Sequence, residues 1–142
     1  MEPNWIGLTA ACSAFLGIWI GHVAVRKIEY RSPSIWVPSL SSFLLGALFE
    51  AGALFSSSLH VSTAVGIFGM TLLWDALEFW RQHRRVEKGH TPANPNNPRH
   101  AQILAESGSA MTTDLLNRDP IGRPVSLREA IRLVTERQIS GS

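Results

Sequence analysis

Apolar residues fill three stretches of the chain without the recurring polar positions that mark a helix half-exposed to water. Ile6–Val25, Trp36–Phe55 and Val61–Trp80 each run about 20 residues. At about 1.5 Å rise per residue, each matches a hydrocarbon core about 30 Å thick. Helices this apolar all round would leave a soluble domain nothing to present to water. The pattern therefore predicts an all-α, integral membrane three-helix bundle over residues 1–90, followed by a tail over 91–142. The opening "MEPNW" has no basic flank, and no small-residue cleavage site precedes a polar start, so the first span is expected to be retained rather than removed as a signal peptide.

Composition alone hides this division. The 142 residues are 45% hydrophobic and 17% charged, with net charge +2, figures a soluble protein would share. What matters is where the charges fall. Arg26, Lys27 and Arg31 follow the first span, and Arg81, Arg84, Arg85 and Lys88 follow the third, whereas the turn "SSSLH" between the second and third has no Lys or Arg. The positive-inside rule then puts the N-terminus outside and the tail in the cytoplasm. Trp19, Tyr30, Trp36, Trp74 and Trp80 fall toward the basic side and Trp5 toward the other, as interfacial aromatic belts require.

Small residues predict how the spans meet. Gly7, Ala14 and Gly21 recur along the first, with Ala10 and Gly17 beside them, and Gly17–Gly21 is a GxxxG step. Ser39, Ser42, Gly46 and Ala53 form a stripe on the second, which also carries the intramembrane carboxylate Glu50 and should turn it toward protein. Cys12 is the single cysteine, which excludes an intramolecular disulfide and a thiolate metal cluster.

Several blocks resemble a family of small bacterial membrane proteins grouped as domain of unknown function 4491. They are "NWIGL", His22 spaced from "KIEY", Trp36, Leu73 and Trp74 with Glu78 and Gln82, and "RVEKG" followed by Pro92, Asn94 and Pro95. The resemblance covers about residues 4–95. It implies three membrane helices and carries no function with it.

Beyond it, "TPANPNNPRH" reads as a Pro and Asn linker able to run extended along a surface. Arg99–Glu106 is expected as a short helix closed by Gly108. A second helix is expected over about 126–138, where Ser126 and Glu129 make a capping box and Leu127, Ala130, Ile131 and Val134 form a partner-docking face.

The ionisable groups in or near the spans are the candidates for chemistry. His22, Arg26, Lys27, Glu29, Asp75 and Glu78 are expected to form a polar cluster at the basic side. Within it Glu78 reaches Arg81 at i+3, and His22, Arg26, Lys27 or Arg84 serve as counter-charges. His22 and His60 lie at opposite depths and cannot share one haem. No cofactor is predicted, a single axial His22 to a haem or pigment being the weak remaining option. His83, His90 and His100 lack regular metal-ligand spacing, and no metal site is expected.

No nucleophile–base arrangement or phosphate-binding Gly loop is present, so no catalytic residue is assigned and the protein is expected not to be an enzyme. Anionic lipid headgroups, rather than nucleic acid, suit the run Arg81, Arg84, Arg85 and Lys88. The function expected is a non-catalytic accessory or assembly subunit of a larger inner-membrane complex, respiratory or photosynthetic, with other membrane subunits as partners. The alternative is a small homo-oligomeric transporter of protons, ions or small molecules that uses the intramembrane carboxylates.

Overall fold

The computed structural model describes residues 3–114, whose regular structure is helical throughout: α1 (Trp5–Arg31), α2 (Trp36–Phe55), α3 (Leu59–Glu87) and α4 (Pro98–Glu106). The expected helix over 126–138, with Leu127, Ala130, Ile131 and Val134, lies outside the described residues.

Local chemistry sets the helix ends. The Asn4 side chain accepts the Gly7 amide at 2.9 Å and starts α1, and Ser58 accepts the Val61 amide to start α3. α1 stops where Pro33 forces Ser32 into an extended conformation. Pro38 falls in the first turn of α2, where a missing N–H costs nothing. α3 ends at Gly89, whose φ of 70° suits glycine and where a Cβ would collide with the Ser109 carbonyl oxygen.

Both α1 and α3 outrun their apolar spans. Arg26–Arg31 is the last part of α1 rather than a connection, and the true link is Ser32–Ile35. Nothing in "RKIEY" breaks a helix, so it continues until proline stops it. α3 is 29 residues long, or about 43 Å, so its last turns project beyond a hydrocarbon core of about 30 Å.

α3 is the element on which the others pack, and α1 and α2 make little direct contact with each other. Its partners present small residues. On α1 the buried line is Ser13, Gly17, Gly21 and Val25, so the GxxxG step faces α3 while Gly7 stays exposed. On α2 the contact line runs through Ser39, Ser42, Gly46 and Ala53. A Cβ at Gly46 would lie 2.9 Å from the Gly69 carbonyl oxygen and from the Leu73 amide nitrogen, so the two backbones touch there.

Hydroxyls hold the same seam. Ser39 Oγ donates to the Ala76 carbonyl at 2.7 Å, Ser42 Oγ to Leu72 at 3.0 Å and Ser62 Oγ to Ala53 at 2.8 Å. Each such bond contributes about 0.6 kcal/mol in a membrane interior. The large side chains on the outer faces of α1 and α2, among them Phe15, Ile18, Leu44 and Leu48, are exposed as lipid-facing residues are.

Two small cores lie toward the basic end. Val25, Ile35 and Phe79 pack together with Trp80, whose ring meets Trp36 edge-on at 4.8 Å. Farther out, Val86 packs with Ala93 and Ile103, joining the end of α3 to the linker and to α4. The linker, read from the sequence as able to run along a surface, is a strap docked on the ends of α1 and α3.

Candidate functional site at the basic end of the helices

α1 ends with carbonyls that no later turn of its own helix can satisfy. The strap supplies the donors. Asn94 Nδ2 donates to the Tyr30 carbonyl at 3.1 Å, and Asn97 Nδ2 donates to those of Tyr30 and Ser32 at 3.2 and 2.9 Å. Asn97 Oδ1 accepts the Arg99 amide and so starts α4, with Pro98 at its first position. One asparagine thus caps the end of one helix and the beginning of another.

Arg99 completes the cap. Its Nη2 lies 2.8 Å from the Glu29 carbonyl oxygen and 3.0 Å from Glu29 Oε1, placing a cation at the negative end of the α1 dipole. Glu29 is 1% exposed and His100 is fully buried beside it. His100 Nδ1 accepts the Asn94 amide at 2.9 Å, so its proton sits on Nε2 and is donated to Glu29 Oε1 at 3.1 Å. A buried carboxylate is tolerated there because it has both a counter-charge and a hydrogen-bond donor.

The third contact of Arg99 reaches α3. Its Nη1 donates to His83 Nδ1 at 2.6 Å, which leaves the His83 proton on Nε2, 3.4 Å from Glu87 Oε1. Burial, and then the Arg99 charge, hold the His83 pKa below its ordinary 6.5. Once the strap is released His83 takes up a proton more readily, so its contribution to docking is complete above about pH 6.5 and is lost as pH falls below that value. Proteolytic nicking of the strap is therefore expected to rise on acidification through this range, and His83→Gln should flatten the dependence. An unchanged profile in that variant would assign the effect to another group.

The remaining predicted groups divide by position. Glu78 is buried and pairs within its own helix, with Arg85 Nη2 at 2.6 Å and Arg81 Nη1 at 3.6 Å. Arg81 also lies 4.6 Å over the Trp74 ring. Asp75 packs directly on Gly21, where a Cβ would lie 2.7 Å from its carboxylate, with His22 and Glu78 in electrostatic range. His22, Arg26 and Lys27 are exposed and line a cleft instead of entering an ion pair with Glu78. Glu50 faces α3, packed over Gly69, and its Oε1 is buried without a hydrogen-bond partner among the described residues. At the other end, His60 Nδ1 lies 3.0 Å from Thr9 Oγ1.

The sequence named Arg99 only as the start of a short helix and His100 only as a histidine without metal-ligand spacing, and pointed to neither as a partner of Glu29. The available signal was the unmet need of α1 for C-terminal donors, set against an Asn-rich segment able to provide them.

Three helices long and apolar enough to cross a membrane, joined by short links and carrying their charge mainly at one end, define a small helical membrane protein. The chain matches the model of the family described as Domain of unknown function (DUF4491) over residues 4–97, and it belongs to that family. The match takes in Glu29, Asn94 and Asn97 and stops before Arg99 and His100. No curated protein and no solved structure matches the chain.

Proposed function

We propose that the protein is a non-catalytic accessory or assembly subunit of a larger bacterial inner-membrane complex, with its N-terminus outside and its tail in the cytoplasm. The observation that carries this reading is the engagement of Glu29, His83, Arg99 and His100 in fixing the chain's own strap to α1 and α3. Groups so engaged hold a surface in shape and are poorly suited to passing ions. The apolar outer faces of α1 and α2 would meet lipid and neighbouring helices. The basic cleft between Arg84, Arg85, Lys88 and His90 would rest against anionic headgroups.

Isolation in mild detergent tests the reading: non-identical subunits should co-purify, and a lone symmetric oligomer would overturn it. A reporter active only in the cytoplasm should work when fused after Ser142 and fail at the N-terminus. The second reading, a homo-oligomeric transporter, draws support from the unpartnered Oε1 of Glu50. It requires flux in reconstituted vesicles that Glu50→Gln abolishes at unchanged yield.

A further inference from the structure

A cleft of about 560 Å³ opens at the basic end of α1, between its last turns and the strap. Its cationic wall is Arg26, Lys27 and Arg31, with His22 and Val23 on the side toward the apolar span and Thr91 of the strap opposite. Arg26, Lys27 and Arg31 make no ion pair or side-chain hydrogen bond among the described residues, in contrast to Arg85 and Arg99. Two carboxylates, Glu29 and Asp114, also line the cleft, and Glu29 has its Oε1 taken by Arg99 and His100, so the three cations outnumber them.

A helix C-terminus normally repels anions. Here the Glu29, Tyr30 and Ser32 carbonyls are covered by Asn94, Asn97 and Arg99, so the negative end of α1 is neutralised before a ligand arrives. From His22 to Arg31 the wall climbs about 13 Å along the helix axis, starting inside the apolar span and ending beyond it. A ligand filling it would be anionic at one end and meet apolar surface at the other.

We propose that this cleft binds a phosphate ester at the membrane surface, held by Arg26, Lys27 and Arg31. The mixed wall points to the headgroup of an anionic phospholipid whose chains lie along α1, and a soluble phosphate ester is the other source of the same chemistry. The inference does not rest on the accessory-subunit reading.

The test uses the full chain in phosphatidylcholine nanodiscs doped with phosphatidylglycerol, with retained lipid counted by native mass spectrometry. Each charge near the surface is worth about fivefold in affinity, so R26Q, K27Q and R31Q together should lower retention roughly a hundredfold. Val23→Trp, which narrows the cleft without changing charge, should also lower it. All four side chains are exposed, so folding is spared, and an unchanged melting transition checks this.

If the triple variant retains as much lipid as the parent protein, or if Val23→Trp has no effect, binding in the cleft is absent or is diffuse attraction of charge, and the proposal fails. Glycerol phosphate is the second probe. Displacement of lipid by it makes the soluble ester the ligand, and failure to displace assigns the cleft to lipid.

Discussion

Glu29→Gln is expected to detach the strap while leaving the three long helices assembled. The substitution keeps the shape and still offers His100 an acceptor, but it strands the Arg99 guanidinium, whose side chain is only 13% exposed, without its counter-charge. Breaking a buried pair from one side costs about 3 to 5 kcal/mol. That is at least as large as the contribution of about 1.5 to 3 kcal/mol from burial of Ile103, the largest buried apolar side chain that α4 brings to this core. Protease sensitivity within residues 92–106 should rise sharply. Arg99→Gln should do the same, and the double variant should cost clearly less than the two single changes added together. Additive effects, or unchanged protection, would show that the pair does not hold the strap.

The other large effect is expected at Gly46. A Cβ there meets backbone on α3 at 2.9 Å on two sides, at Gly69 and Leu73, and backbone cannot rotate away as a side chain would. Gly46→Val should separate α2 from α3 at a cost of about 3 kcal/mol, the upper end for overpacking. It should also weaken the Ser39 and Ser42 hydrogen bonds that depend on the same approach. Gly52, on the same helix, has nothing nearer than Val65 at 4.0 Å, so Gly52→Val should be tolerated. Unfolding in graded denaturing detergent would separate the two, and equal stability of both variants would refute the close crossing. Gly21→Ala is a milder case, because the atoms it meets belong to the Asp75 side chain.

The stripe on α2 was readable because the rule behind it is local. Small residues three or four apart mark the line along which a membrane helix can be approached, and Ser39, Ser42, Gly46 and Ala53 follow it. The stripe on α1 was readable only in part. Gly17 and Gly21 lie on the contact line, whereas Gly7, two residues into α1, is exposed although its helical phase is close to theirs. The boundaries of α1 and α3 were drawn at the ends of the apolar runs, but hydropathy reports where a helix leaves lipid, and Pro33 and Gly89 report where it stops.

The strap marks the division most sharply. By itself the sequence determined the three spans, the asymmetry of charge between their ends, a short helix over Arg99–Glu106 and the small face of α2, because partition into hydrocarbon and helix propensity depend on residues close together in the chain. Only the tertiary structure decided that Glu29 is buried while Arg26 and Lys27 stay exposed, and that His100, 71 residues away, shares its proton with that carboxylate. A hydrogen bond across such a distance depends on how α1, α3 and the strap come to rest against one another, and no periodicity along the chain records that.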